Sequence, residues 1–458
     1  MPWSGFAGRY TPRVLPLSTS INLNIETPPL SKNSGDDQPE VSQDLGSRRR
    51  CGLRGVVARF FPVLESRDYE LLWVGQIFAA SAMWMEQVAR NWITWEMTGS
   101  ALQLGAVNFV RVIPAVFAGM LAGVMADRVS KKKLLMIAQL WSLVVYTLMS
   151  SVVLSGNLEL WHLYVSTMAL SLGQSIREPV RAAYAPALVP PHHLVGALSL
   201  NATAMNGSRV LWPAVTGLLI SAINPGYAYL TAVGFYLVVQ TVTMMIKNPD
   251  APDERPEVGT IGGDLLDGFR FVFGSRALSG LLFSRFGPIT VASGFQVLIP
   301  VFAVQVLGMG AGAYGLLLSA EGLGAIIGGF TLASRRDIKR PGMIAFVGGT
   351  LVSALLMLGY FMTTFWGLWA LLLCVGIAQV AFNSSNNAAM FAHTPSNMRG
   401  RMVGVRNQTR SLVPVAHLGA GALAETAGAP VVFAVIGVLS LAILWSVQAW
   451  RPETAKAG

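Results

Sequence analysis

Gly123-Val124-Met125-Ala126-Asp127-Arg128-Val129-Ser130-Lys131-Lys132-Lys133 is a dense cluster of charge between two long apolar runs, 102–126 and 134–154. Each run matches the roughly 20 residues that a helix needs to cross a bilayer. A charged segment this short between two such runs reads as a tight hairpin at one membrane face. Arg128, Lys131, Lys132 and Lys133 put that face in the cytoplasm, where loops between spans carry the excess of cations. The hairpin therefore predicts a polytopic bundle whose even-numbered loops are basic.

The totals agree. The chain of 458 residues is 53% hydrophobic and 12% charged, with a mean hydropathy of +0.53; soluble domains carry about 25% charged residues. The apolar residues come in blocks, which points to an integral membrane protein rather than a large soluble core. A net charge of +10 raises the question of nucleic acid. The cations sit at the ends of apolar runs, so the charge reads as topology and no nucleic-acid partner is expected. Cys51 and Cys374 show no metal or disulfide spacing, and neither a metal nor a cofactor is expected.

Twelve spans are predicted, near 70–95, 102–126, 134–155, 161–183, 195–222, 227–246, 278–304, 313–333, 343–363, 366–388, 403–424 and 430–450. The loops on one side hold Arg128 and Lys131 to Lys133, then Arg181, then Lys247, Arg255, Arg270 and Arg276. Next on that side come Arg335, Arg336, Lys339 and Arg340, then Arg399 and Arg401, then Arg451 and Lys456. The opposite loops, near 98–100, 156–159, 223–226, 307–312, 364–365 and 425–429, contain no Lys or Arg. This separation predicts a multi-pass protein of the inner (plasma) membrane with both termini in the cytoplasm.

Residues 1–54 are rich in Pro, Ser, Asn and Asp and read as a disordered cytoplasmic tail without a cleaved signal peptide. Arg48-Arg49-Arg50 reads as a polybasic juxtamembrane anchor rather than a twin-arginine signal. Gly55 to Ser66 is expected along the inner surface. Residues 55–246 then form a first six-helix bundle, 277–450 a second, and 451–458 a cytoplasmic tail. Between them, 247–276 is a cytoplasmic linker that closes with an amphipathic stretch from Leu265 to Phe273. The halves also repeat: Ser66-Arg67 and Gln87-Val88 match Ser275-Arg276 and Gln296-Val297 at a shift of 209, and Ala182-Ala183 and Asn201 match Ala388-Ala389 and Asn407 at a shift of 206. A six-plus-six layout with internal repetition implies two pseudo-symmetric six-helix bundles around one axis.

With Gly123-x-x-x-Asp127-Arg128-x-Ser130-Lys131-Lys132 between spans 2 and 3, the chain resembles the major facilitator superfamily, which usually has Gly where Ser130 stands. Arg335-Arg336-Asp337-Ile338-Lys339-Arg340 is a decayed copy in the same loop of the second half. The resemblance covers about 66–450 and is strongest to the bacterial branch of enterobactin exporters and macrolide efflux proteins. It is carried by Leu72-Trp73-Val74-Gly75-Gln76, Thr98-Gly99-Ser100-Ala101, Arg111-x-x-Pro114 and Met398-Arg399-Gly400-Arg401-Met402-Val403-Gly404. Pro213 and Gly217 in span 5 resemble a degenerate form of the antiporters' Gly-Pro-x-x-Gly-Gly motif, with Trp212 and Thr216 in place of glycines. The resemblance implies alternating access with a gate built from Gly123, Asp127, Arg128, Lys131 and Lys132. Asp127 would face the start of span 11 near Gly400 to Val403, where a helix N-terminus favours a carboxylate.

Ionisable groups within spans cost at least about 2.5 kcal/mol each, so each is a functional candidate. At about 1.5 Å of rise per residue, Arg111, Arg209, Arg285 and Glu321 lie near the midplane. Glu86 and Arg90 are spaced to pair on the outer half of span 1; Arg177, Glu178 and Arg181 lie at the inner part of span 4. These residues either line a cavity and handle substrate or protons, or staple neighbouring spans; the sequence leaves both open. Substrate contact is weighed against core packing for Trp212 and Phe295, and an aromatic belt is read into Trp84, Trp92 and Trp95. His417 reads as a packing residue. Asn383-Ser384-Ser385-Asn386-Asn387 is read either as cavity lining or as hydrogen-bonding across helices.

The expected activity is a secondary transporter that exports an amphipathic, drug- or siderophore-like molecule in exchange for protons and works as a monomer in the lipid bilayer. A small-solute importer or a non-transporting sensor are the alternatives. No His-Glu-x-x-His, nucleophile elbow or phosphate-binding Gly-rich loop occurs, which argues against an enzyme and against an ATP-driven pump.

Overall fold

The computed structural model describes residues 62–114, 130–190, 193–247, 261–334, 340–395 and 398–456. Gly123, Asp127 and Arg128 of the gate motif, the tail 1–54 and the second-half copy 335–339 lie outside the described residues. Among those described, every regular element is helical.

A single turn, Pro62–Glu65, leads into α1 (Arg67–Thr98). This helix ends at Gly99, whose φ of 60° lets its N–H reach back to Trp95 O. α2 (Ala101–Phe109) starts one residue later, with Ser100 Oγ accepting from Gln103 N. α3 (Lys131–Leu154) is capped by Ser130, whose side chain accepts from Lys133 N. That bond gives a local reason for serine where the superfamily usually has glycine. α4 (Leu160–Ala187), α5 (Leu194–Ala222) and α6 (Pro225–Met244) complete the first half. α7 (Ile261–Gly274) is the expected linker helix. Its Gly268 lies against Arg401 and Val405, and Asp267 pairs loosely with Arg401 at 3.5 Å.

The second half holds α8 (Arg276–Phe283), α9 (Phe295–Val301), α10 (Ala311–Ala333), α11 (Pro341–Leu358) and α12 (Phe365–Ala392). α13 (Arg399–Ser411), α14 (Val413–Ala427) and α15 (Ala429–Trp450) follow, before the short α16 (Glu453–Lys456). Two expected spans are not regular. Span 7 is α8 and α9 interrupted by wider π turns at Phe286–Val291 and Phe302–Val306. Span 11 breaks at Leu412 between α13 and α14, where Pro414 has no N–H to continue the ladder.

Among the described residues, seven segments are long and apolar enough to cross a membrane: α3, α6, Arg276–Val306, α10, Pro341–Phe361, α12 and α15. α1, α4 and α5 are as long, at 32, 28 and 29 residues, but carry internal polar and charged groups. α2 begins an apolar helical stretch that is described as far as Pro114. The described part thus supports an all-helical membrane bundle without completing the count of twelve.

α1 packs on α5 and α6, and α3 on α4 and α6; in the second half α10 packs on α12, and α11 on α12 and α15. Between the halves the principal contacts are α5 with α10 and α2 with α14. Glycines allow both. A Cβ on Gly217 would collide with Ala311 O and the Gly315 backbone, and one on Gly421 with Ala101 O and Gly105. Both contacts lie toward the end whose loops lack Lys and Arg. Pro213 and Gly217, the span 5 motif, therefore sit on the seam: Pro213 O faces Gly315. Gly217→Val should force α5 and α10 apart while sparing the packing within each half. We expect correct membrane insertion with at least a tenfold loss of transport. Normal flux at normal protein level would refute the close-approach role.

Candidate functional site

A cavity of about 550 Å³ lies between the halves. α1 contributes Trp84 and Gln87, and the second span Asn108 and Arg111; α4 adds Ser171 and Gln174, and α5 adds Arg209. The second half contributes Ile289, Ser293, Gln296, Gln379, Asn383, Arg410, Pro414 and His417. The breaks in spans 7 and 11 fall on this wall, which Ile289, Ser293, Ser411 and Pro414 help to line. A smaller groove of about 80 Å³ beside Arg181 and Asn201 lies within the first half alone.

One ion pair crosses the seam at the cavity wall: Arg209 on α5 meets Glu321 on α10. Glu321 is 1% exposed. Its carboxylate also accepts from Gln296 Nε2 at 3.1 and 3.2 Å. The Arg209 guanidinium lies 5.5 Å from the Trp84 ring centroid, a cation–π distance. Three further guanidiniums, on the wall or behind it, have neutral partners. Arg111 donates to Gln174 Oε1 at 2.8 Å, just where the second span is interrupted by a turn. Arg285, buried behind the wall, donates to Asn386 at 3.1 Å, Asn387 at 3.4 Å and Asn383 at 3.5 Å. Arg406 donates to Asn387 at 3.1 Å. The polar run at 383–387 thus both lines the cavity and holds arginines across helices.

Two other charge clusters stay within one half. Arg90 is fully buried and donates to Glu86 at 2.6 Å and to Asn108 at 2.9 Å. Asn91 extends this network across the seam to Tyr314 at 3.4 Å, and Trp92 stacks on the same Tyr314 ring. Arg177 is buried against Tyr236 and pairs with Glu178 at 2.8 Å. Arg181 pairs with the same carboxylate at 3.0 Å and with Asn201 at 2.5 Å. This second cluster is absent from the cavity wall. α4 runs through Arg181 to Ala187, so Arg181 stands on the last turns of the helix, which extends four residues past the predicted end of span 4 at 183. Within the gate motif, Lys132 donates to Met244 O at 2.9 Å and Ile246 O at 2.5 Å, capping the end of α6 in its own half. Lys131 opens α3.

The end without Lys or Arg is closed by a latch that the sequence reading placed in a loop. Glu425 on α14 accepts from Ser100 Oγ and Leu102 N, both at 3.0 Å. A carboxylate of one half therefore caps the helix N-terminus of the other, a favourable charge placement.

The sequence comparison fits this architecture. Residues 58–409 match the family described as transmembrane secretion effector. The chain belongs to this family of the major facilitator superfamily. The transporter is 26% identical over 414 residues to the enterobactin exporter EntS of Salmonella typhi, covering 87% of this chain and 96% of that one. It is 25% identical over 415 residues to EntS of Escherichia coli O6:K15:H31, covering 87% and 95%. Among solved structures it resembles a bacterial homolog of the human lysosomal transporter Spinster in an inward-facing, unoccupied conformation. The TM-score is 0.65 at 13% identity, over 86% of this chain and 97% of that one. It also resembles the nucleoside transporter NupG, with a TM-score of 0.62 at 16% identity over 84% and 98%. These structures share the fold. The transporter is not an enzyme.

Several residues at the cavity escaped the sequence reading. Arg410 on the wall and Arg406 behind it stand at i, i+4 inside an expected span, a spacing of the same kind as Glu86 and Arg90. Trp84 lines the cavity rather than a membrane-interface belt, and His417 faces it too. Trp212 and Phe295 instead pack in the core, against Phe235 and Phe433. Because Arg90 has Glu86 as its carboxylate, Glu86→Gln should leave a buried cation uncompensated and cost about 3–5 kcal/mol. Thermal unfolding in neutral detergent should show a marked fall in midpoint; an unchanged midpoint would deny the pair a structural role.

Proposed function

We propose that this transporter is a proton-coupled exporter of amphipathic small molecules, working by alternating access across the inner membrane. The observation that carries the reading is the central cavity, closed at one end by α2–α14 and α5–α10 contacts and walled by the Arg209–Glu321 pair. The positive-inside pattern supports a cytoplasmic position for the basic end and both termini. In this reading the cavity loads from the cytoplasm, on the side opposite the closed end. Likeness to enterobactin exporters over most of both chains supports the outward direction.

Glu321 is the carboxylate suited to couple protons. It bridges the halves through Arg209, and neutralising it would release α5 from α10 so that the closed end can open. Substrate and proton would meet at one place, because Arg209 and Gln296 belong to the same wall. The gate residues Gly123, Asp127 and Arg128 would close the basic end in the alternate state, with Asp127 against the start of α13. The six-helix halves at 55–246 and 277–450 are the moving bodies in this reading, with 247–276 tethering them, and one chain suffices.

The test is proton movement in inside-out vesicles with an acidic lumen, followed with a pH-sensitive dye. Enterobactin, a macrolide and a lipophilic cation are added in turn. A substrate-triggered loss of the gradient, absent from vesicles without the protein, supports the reading; no response from folded protein contradicts it. Glu321→Gln should abolish the proton response while leaving substrate exchange down its own gradient. Retained proton movement would remove Glu321 from coupling. Asp127→Asn should cut transport at least tenfold with insertion intact, and normal flux would refute the gate.

A further inference from the structure

We infer that the central cavity is built for an organic anion: an amphipathic, aromatic-bearing molecule with two or more acidic groups. This rests on the transporter reading and adds the substrate class. The charge balance around the cavity carries it. Arg111, Arg209 and Arg410 are on the wall. Arg285 stands behind it, joined to it through Asn383, and Arg406 shares Asn387 with Arg285. The sole carboxylate among these described groups is Glu321, and Arg209 and Gln296 already hold it.

A guanidinium within a membrane span is costly unless an anion or a full set of acceptors compensates it. Here Arg111 has one amide, Arg285 three and Arg406 two, with Asn387 shared, and none of the three meets a carboxylate among the described residues. Arg285 Nε, buried, has no acceptor. If these arginines served only to staple helices, each would be expected to face a carboxylate, as Arg90 and Arg177 do. Their excess is the arrangement of a site that waits for negative charge.

The neutral groups point the same way. Gln174 gives its carbonyl oxygen to Arg111 and so keeps its NH₂ as a donor. Asn387 accepts from both Arg285 and Arg406 and keeps its own. A carboxylate, sulfonate or catecholate oxygen can use such donors together with the guanidinium forks. Trp84 and Ile289 supply an apolar surface for the rest of the molecule. The same cations repel lipophilic cations, so discrimination comes from repulsion as well as attraction. An acidic group that reached Arg209 would compete with Glu321 and weaken the bridge across the seam, linking loading to opening.

The test uses the full chain in nanodiscs of zwitterionic phosphatidylcholine and follows fluorescence polarisation. The probe is pyrene-1,3,6,8-tetrasulfonate, compared with a pyrene carrying quaternary ammonium groups. The tetra-anion should bind and the cation should not. Arg410→Gln and Arg111→Gln should each weaken the anion at least about tenfold, as expected when one partner of a buried charge contact is lost. Arg410→Lys, which keeps the charge, should recover much of that loss and shows that folding is not the cause. Equal or tighter binding of the cation, no binding of either probe, or affinity unchanged in both Gln variants would overturn the inference. Displacement of the probe by phosphatidylglycerol in the disc would assign the arginines to lipid headgroups and overturn it as well. Arginine-dependent anion binding with no uptake of the tetra-anion by proteoliposomes supports the anion site and counts against the transport reading alone.

Discussion

A guanidinium on α5 and a carboxylate on α10 hold the two halves together at the cavity wall. Arg209 and Glu321 meet where neither could remain charged alone without a large desolvation cost. Their pairing therefore has a consequence beyond local stability. Each half supplies the partner that makes the other half's buried charge tolerable. Gln296 donates to Glu321 and the Trp84 ring lies by Arg209, so four helical segments, α1, α5, α9 and α10, meet at the pair.

The rest of the seam is built to be reversible. Its closest contacts are glycine against backbone and a carboxylate against a helix N-terminus, set beside an apolar cluster that runs through both halves. The glycine and carboxylate contacts are compact enough to exclude substrate at the closed end. The two glycine contacts, Gly217 with Gly315 and Gly421 with Gly105, involve repeat-related helices, so closure is shared by both sides of the pseudo-symmetric bundle. Interruptions at Phe286–Val291 and Leu412 lie next to the site.

Much of the fold is legible in the sequence because a bilayer imposes length and charge rules on every span. The hairpin at 123–133, the segregation of Lys and Arg and the polar linker lead to the helical bundle without reference to tertiary contacts. The site is legible only in part. Arg111, Arg209 and Glu321 stand out because a midplane charge is rare, but their partners lie on other helices and no spacing announces them. Glu86 with Arg90 is a local i, i+4 pair and could be read directly. The Glu425 latch and the cavity face of Trp84 could not, since both depend on how helices from different halves are rotated against each other. The π turns of span 7 also escape a hydropathy reading, which follows apolar length and is blind to a widened turn.

Spin-label distances across the two ends of the bundle test the central claim that the Arg209–Glu321 pair holds this conformation. In a Cys51→Ser, Cys374→Ser background, Met97→Cys with Leu423→Cys reports the closed end, and Ile137→Cys with Met343→Cys reports the basic end. All four positions are exposed on the bundle surface. Adding Glu321→Gln should lengthen the first distance and shorten the second within the same sample. Two unchanged distances, or two that move in the same direction, would contradict the account.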